Sequence, residues 1–435
     1  REMGLGDDHS GIVDLPADAP IGVSYVDYAG LNDPVIEISV TPNRGDCFSV
    51  RGVARDLAAA GIGTLKPFAP AKIPAAFKGG PTWANNHPEV CQWILGRTIR
   101  GVKNSASPKW MQDRLTSIGL RPINALVDMT NFFTFDLGRP LHVFDVKKLA
   151  GDVLTLRRGA GETLLALNGK EYELDDQVCV IADDSGVLAL GGVMGGEASG
   201  CTETTKNVFI ESALFDTLRT AATGRRYQID SDARHRFERG VDPEFVEAGI
   251  EEATRLVLEM CGGEPSALVA AGAKPQWQRE IKARGSRIQA LGGLDVSPAE
   301  ATRVLHALGF TGELKADWSV VAPPSWRPDI HGEADVVEEV VRIVGVDKVP
   351  AVPLPRPAGV AKPAWSAAQK RVVLAKRTLA ARGLLEAVTY SFTSSKLAAL
   401  FGGNNPRLVL LNAISADLDT MRPTVLSNQI GRAHG

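Results

Sequence analysis

Four carboxylates stand close together late in the chain: Asp329, then Asp335, Glu338 and Glu339. The last three follow i, i+3, i+4 spacing and share adjoining positions on one helical turn. Hard oxygen donors at that density suit Mg²⁺, which takes a few carboxylates and keeps its waters. Acids in a first helical turn also complement the helix dipole, and spacing alone favours that simpler use. A second concentration of charge lies between Arg219 and Arg239. Six arginines (219, 225, 226, 234, 236, 239) stand there against three acids (Asp230, Asp232, Glu238), interleaved with Tyr227 and Phe237. Guanidinium groups at that density suit planar contacts to phosphate, and a salt-bridged, solvated helical face uses the same residues. His142, in GRPLHVFD, stands alone, as packed or surface histidines commonly do. No serine or cysteine carries a nucleophile motif, and neither H-E-x-x-H nor Cys/His zinc spacing occurs, so nucleophilic and zinc chemistry lack support.

The elements that must position these groups follow from periodicity. Residues 35–40 alternate apolar and polar (Ile36, Ile38 and Val40 on one face), which predicts a strand. TPNRGDC then turns into a helix carrying Val50, Val53, Ala54 and Leu57 until Gly61. Ser107 and Pro108 read as the N-cap and first residue of a helix that closes at Gly119. From Val153 to Ile210 the pattern is strand and turn, with Asn168-Gly169 as a type I′ hairpin turn. The strand at 207–210 ends by setting Glu211 beside Ser212. GGVMGGEASG (191–200) has five glycines in ten residues but lacks both the G-K-[ST] ending and G-x-G-x-x-G, which argues against those two nucleotide loops. Glycines after a strand instead permit close backbone approach, to a packing neighbour or to a substrate. A helix is expected around Phe245 to Cys261. SPAE (297–300) reads as a capping box for a helix ended by Gly309, followed by a strand from Trp318 to Ala322. Prolines 350, 353, 355, 357 and 363 form a stiff connector. Beyond it come a helix from about Trp365 to Arg382 and a strand at 386–392.

The bulk numbers bound the rest. A chain of 435 residues implies roughly three domains. A net charge of −3 confines any nucleic-acid contact to local patches. Five scattered cysteines (47, 91, 179, 201, 261) read as reduced, buried thiols of a cytosolic protein. No apolar run is long enough to cross a bilayer and no signal peptide is visible, so the expected location is cytoplasmic, without membrane contact.

With these residues in view, the chain resembles the bacterial phenylalanyl-tRNA synthetase beta-subunit family. The resemblance covers nearly the whole sequence up to about Pro423. Its motifs are IEISVTPNRGDCFSVRGVARDLAA, INALVDMTNFF, GRPLHVFD, LALGGVMGG, DARHRFERGVDP, PSWRPDI with ADVVEEV, and LNAISADLDTMRP. It implies an α+β multidomain chain. The divisions are an N-terminal strand-helix segment at 1–66, a linker at 67–84, and a mixed-strand tRNA-editing domain at 85–275. A small helix-strand-helix module at 276–350 resembles a fold seen in DNA-binding proteins. A proline-rich linker at 351–363 leads to the start of a catalytic-like α/β core at 364–435. The family's leading oligonucleotide-binding domain and most of its trailing domains are expected to be missing, so the chain reads as a piece truncated at both ends, with a last dozen residues that read as a truncated or foreign end.

The resemblance also implies roles. Glu211 is the acid that reads a tyrosyl hydroxyl; His142 and Arg121 line the pocket near the ester and the terminal adenosine. Gly195 lets backbone approach the aminoacyl group, Ser231 stands where the family commonly has threonine, and Ala233 keeps the pocket open. Asp329, Asp335, Glu338 and Glu339 coincide with Mg²⁺ positions shared with the alpha subunit. The implied partners are that subunit, in a heterotetramer of two alpha and two beta chains, and tRNA(Phe). ATP is used by the complex and not by this chain alone, and no DNA is expected. The competing expectations are a free-standing deacylase that edits in trans and a non-catalytic RNA- or protein-binding module.

Overall fold

The computed structural model describes residues 14–355, 359 and 363–429. Pro357 of the expected connector and residues 430–435 of the expected truncated or foreign end lie outside the described residues. The chain divides into two compact units, Arg1–Ala351 and Val352–Gly435.

The first unit opens with one helical turn, α1 (Tyr25–Tyr28). The strand expected at 35–40 does not form. Among the described residues nothing pairs with it, and Ile36 and Ile38 are exposed. Alternation makes a strand only where a second backbone completes the ladder. TPNRGDC does turn, and Ser49 accepts a hydrogen bond from the Gly52 amide at 3.0 Å to cap α2 (Val50–Ala59).

Two sheets follow. They are built from β1 (Thr82–Asn85), β2 (Cys91–Arg100), β3 (His142–Asp145), β4 (Val153–Arg158), β5 (Glu162–Leu165), β6 (Glu171–Leu174), β7 (Cys179–Asp183), β8 (Gly186–Leu190), β9 (Met194–Gly195) and β10 (Asn207–Phe215). One sheet runs β1-β4-β7-β8-β9, with β1 parallel to β4 and the other pairs antiparallel. β1 falls at the end of the stretch expected as a linker. In the other sheet β10 lies antiparallel between β2 and β3. It extends well beyond the expected Asn207–Ile210, so Glu211 sits at mid-strand. Residues 208–215 are all buried, the continuous signature of a strand covered on both faces.

Helices α3 (Lys109–Ser117) and α4 (Ala125–Leu137) precede β3. Ser107 does not cap α3. Its hydroxyl donates to the buried Asp128 carboxylate at 2.5 Å, because an acid out of water must recruit donors. The β5–β6 connection is likewise not type I′, which needs positive φ at both central residues. Only Gly169 has it (φ +73°), and the Gly169 amide bonds Ala166 O at 2.8 Å. That is a type I turn closed by a glycine bulge.

After β10 come α5 (Thr217–Tyr227), α6 (Asp232–Phe237) and α7 (Phe245–Cys261), the last with the expected bounds. α7 packs its apolar face on β2 and β10, and short strands β11 (Glu264–Pro265) and β12 (Val269–Gly272) return to β2. The core between them holds Ile94, Phe144, Phe209, Ile210 and Val257. Truncating a fully buried side chain such as Phe209 to alanine costs about 3–5 kcal/mol.

A separate core closes the unit, formed by β13 (Ile281–Arg284), α8 (Ser286–Gly292), α9 (Pro298–Ala307), β14 (Thr311–Gly312), β15 (Trp318–Ala322) and α10 (Glu333–Val344). Ser297 caps α9, but Glu300 does not reach back. Its carboxylate takes the Arg303 guanidinium instead, a charge-assisted bond that outcompetes the return contact. In the second unit, α11 (Ala367–Ala381) opens with a full Ser366/Gln369 capping box, and α12 (Ser395–Ala399) follows. The strand expected at 386–392 shrinks to β16 (Phe392–Thr393), paired with β17 (Thr420–Met421).

Candidate active site

Glu211 occupies the middle of β10, opposite Gly96 on β2 and directly opposite His142 on β3. It is 6% exposed and no hydrogen bond or ion pair reaches its carboxyl group among the described residues. Burial alone pushes its pKa up to about 8. At neutral pH it is chiefly a neutral acid, able both to donate and to accept. It opens onto a cavity of about 70 Å³, room for several waters.

His142 lines the same cavity. Its ring sits edge-on to Phe144, centroids 4.4 Å apart, and Nε2 is buried without a partner. Burial brings its pKa down to about 4, so the imidazole is neutral at pH 7. The ring has space because residue 195 is glycine. A Cβ there would come within 2.5 Å of His142 Cε1. That close approach is what the glycine run GGVMGG provides.

Ala233, near the start of α6, also lines the cavity. Ser231 stands beside it rather than in it. Its hydroxyl donates to Val193 O at 2.6 Å and caps α6 by accepting from the Arg234 amide, which ties the helix to the cavity wall. Glu211, His142, Gly195 and Ala233 therefore come together, with Ser231 holding the frame. Arg121 does not join them. It is exposed in the segment between α3 and α4, with no hydrogen bond or ion pair among the described residues. The sequence reading missed the apolar walls, Phe215, Phe237, Leu141 and Met194. They read as ordinary core residues, and the glycine run beside Met194 was the one signal available.

The arginine-rich stretch turns inward for half its length. Arg234 pairs with Glu238, Arg236 donates to Phe48 O, and Arg239 pairs with Glu238 while covering the Phe48 ring. Arg226 pairs with Asp175, and Arg219 and Arg225 are exposed. The salt-bridged reading describes the stretch better than a phosphate-facing one.

The four acids near residue 335 do not converge on a cation. Asp329 and Glu339 are held by Arg327, and Glu339 also by Arg342. Asp335 accepts from the His331 and Gly332 amides and so caps α10, while Glu338 is exposed and meets Asn43 at 3.4 Å. With Asp329 and Glu339 bonded to arginines, and no three of the four acids bringing ligand atoms within 4.8 Å of one another, these residues do not fit a Mg²⁺ held by this chain alone. The dipole reading holds for Asp335, and a buried ion pair explains Glu339. Among the described residues one group, Asp46, Cys47 and Asp56, brings possible ligand atoms within 4.8 Å. Arg44 bonds both carboxylates, and burial with the nearby Asp46 pushes the Cys47 thiol up to about 12, leaving no thiolate for a metal. All five cysteines are free thiols, and no described helix is long and apolar enough to cross a membrane.

Comparison with known proteins bears on the same segments. Residues 90–262 match the B3/4 domain, 281–346 the tRNA synthetase B5 domain, and 352–433 the phenylalanyl tRNA synthetase beta chain CLM domain. The phenylalanine–tRNA ligase beta subunit of Paramagnetospirillum magneticum is 52% identical over 437 residues, covering 100% of this chain and 54% of that protein. The corresponding subunit of Rhodospirillum rubrum is 53% identical over 440 residues, covering 100% of this chain and 55% of that one. A crystal structure of an N-terminal fragment of the Pyrococcus horikoshii phenylalanyl-tRNA synthetase beta subunit covers 70% of this chain and 85% of its own, at 17% identity and a TM-score of 0.36, too distant to define the fold. The chain spans about half the length of the curated relatives it matches. On the strength of identity above one half over the whole of this chain and three consecutive domain matches, it belongs to the phenylalanine–tRNA ligase beta subunit family.

Proposed function

We propose that this chain carries the editing site of a phenylalanine–tRNA ligase beta subunit and hydrolyses tyrosine wrongly esterified to tRNA(Phe). The observation that carries the reading is Glu211, a buried, unpartnered carboxyl group opening onto an apolar-walled cavity. A synthetic pocket shaped for a phenyl ring cannot strongly reject the same ring bearing a hydroxyl. A second site that hydrogen-bonds the hydroxyl can select for it, since a phenylalanyl ring would leave the acid unpaired. Held near neutrality by burial, Glu211 can accept from the phenol or donate to it.

Around the ester, His142 stays neutral and offers Nε2, and Gly195 leaves room for the aminoacyl group against the ring. With no side-chain nucleophile in the cavity, a positioned water forms the new bond to the carbonyl carbon. The ester C–O bond then breaks, and the ribose oxygen leaves with a proton. In the complete enzyme this chain is the non-activating partner. The alpha subunit performs the ATP-dependent ligation in a cytoplasmic assembly of two alpha and two beta chains, and Arg121 reaches the tRNA from the surface. The test is hydrolysis of tyrosyl-tRNA(Phe), with phenylalanyl-tRNA(Phe) as control, by the alpha-beta enzyme carrying these residues. Selective loss of the tyrosyl ester supports the reading. Equal hydrolysis of both esters, or of neither, contradicts it.

A further inference from the structure

A second cavity, of about 160 Å³, draws its lining from three parts of the first unit: Arg51 and Arg55 of α2, Arg139 and Asp242 of the two-sheet body, and Trp326 between β15 and α10. It shares no lining residue with the cavity at Glu211. Two of its arginines are unusual. Arg55 lies over the Trp326 ring, 4.2 Å from the centroid, and Arg51 lies over Phe68 at 4.9 Å. Among the described residues neither makes an ion pair or a hydrogen bond. Stacking occupies the face of a guanidinium and leaves its N–H edge free, the edge that grips an oxyanion in bidentate fashion.

None of the nearby acids bonds them: Asp136, the acid that faces Arg51, makes no ion pair with it, and its own pKa is raised by burial. Asp46 has both carboxylate oxygens bonded by Arg44, at 3.0 and 2.9 Å. Asp242 is pushed towards its neutral form by burial, and it also accepts from the Glu244 amide at 2.9 Å. Arg139 is 1% exposed. It spends its terminal nitrogens on the carbonyls of Ala213 and Asp242, and its Nε has no partner. A half-buried cation with no hydrogen-bonded counter-charge is costly unless an anion arrives.

We propose that this cavity is a phosphate-binding site, in which Arg51 and Arg55 present their free edges to one phosphate group. The phosphate is either a free ion, as inorganic phosphate or pyrophosphate, or a phosphodiester of a bound RNA strand. The test titrates the 435-residue chain with inorganic phosphate and, separately, with pyrophosphate, at ionic strength held constant with chloride, following thermal unfolding and the ³¹P linewidth. A parallel arm uses a short single-stranded RNA. The expected result is a saturable rise in Tm with ³¹P broadening, weakened about tenfold or more by Arg55→Gln and by Arg51→Gln, and untouched by Arg219→Gln at an exposed position. Competition by RNA for the same broadening assigns the site to a phosphodiester, and its absence to the free ion. Should Arg55→Gln compromise folding, Arg51→Gln with a normal far-ultraviolet spectrum carries the comparison. No saturable response in the parent chain, or one equal in all three variants, overturns the proposal.

Discussion

Two buried glutamates in the first unit meet opposite fates. Glu339, on α10, is fully buried, and burial alone would raise its pKa; hydrogen bonds from Arg342 and Arg327 outweigh that and hold it down to about 2. Glu211, on β10, has nearly the same burial and no partner, and rises to about 8. The same side chain is structural where the protein supplies its donors and available for chemistry where it withholds them. The knot around Glu339 joins α2 to α10 through Arg342 and Asp56, with Arg44 on the same acid. The cavity around Glu211 is left open.

The largest effect should come from the paired glutamate. Glu339→Ala strands two arginines in a buried site and should lower stability by about 3–5 kcal/mol in chemical denaturation. Glu211→Gln, which replaces the protonated acid by a neutral side chain of the same shape, should change it by less than about 1 kcal/mol at pH 4.5, and should raise it at neutral pH, where the parent must protonate Glu211 to fold. A reversal of that order would break the contrast.

The next effect is a pH dependence. Glu211 is raised from 4.5 to about 8 and keeps its proton in the folded state, so its contribution is full below pH 4.5 and is lost as pH climbs through 8. His142 is lowered from 6.5 to about 4, so its contribution is full above pH 6.5 and is lost as pH falls through 4. Between 4.5 and 6.5 the two proton differences cancel. Between 6.5 and 8 Glu211 acts alone, and stability should fall by about 2 kcal/mol more than in Glu211→Gln, at about 1.4 kcal/mol per pH unit. Parallel curves over that window would remove the case for a protonated Glu211.

A smaller change sharpens the geometry. Gly195→Ala should push the His142 ring and cut tyrosyl-ester hydrolysis by about tenfold or more, while stability drops by about 1–3 kcal/mol. Unchanged hydrolysis would show that the ring position does not matter. Arg121→Ala should be smallest in stability, within about 0.5 kcal/mol, since its side chain is exposed. Its effect should fall on KM for tRNA rather than on kcat.

The contrast also explains what the sequence could show. Long periodic elements such as Phe245–Cys261 and Trp318–Ala322 were legible because one face meets a core. The strand at 35–40 failed because alternation says nothing of a partner. Ser107 and Asn168 failed because each choice depended on something local patterning does not contain: a buried acid 21 residues away, and the backbone twist of one hairpin. For the site, the resemblance supplied Glu211, His142, Gly195 and Ala233, and β10 and β3 brought the first two opposite each other. The acids around residue 335 looked like ligands because spacing shows carboxylates but not the arginines that reach them from elsewhere, Arg327 and Arg342 above all.

The measurement that bears most directly on the account is the ratio of kcat/KM for tyrosyl- and phenylalanyl-tRNA(Phe) hydrolysis, compared between the parent enzyme and Glu211→Ala. If Glu211 reads the phenolic hydroxyl, the parent prefers the tyrosyl ester and the variant loses that preference, chiefly through slower tyrosyl-ester hydrolysis. A variant that keeps the full preference while both rates fall together would place the discrimination elsewhere and contradict the role assigned to Glu211.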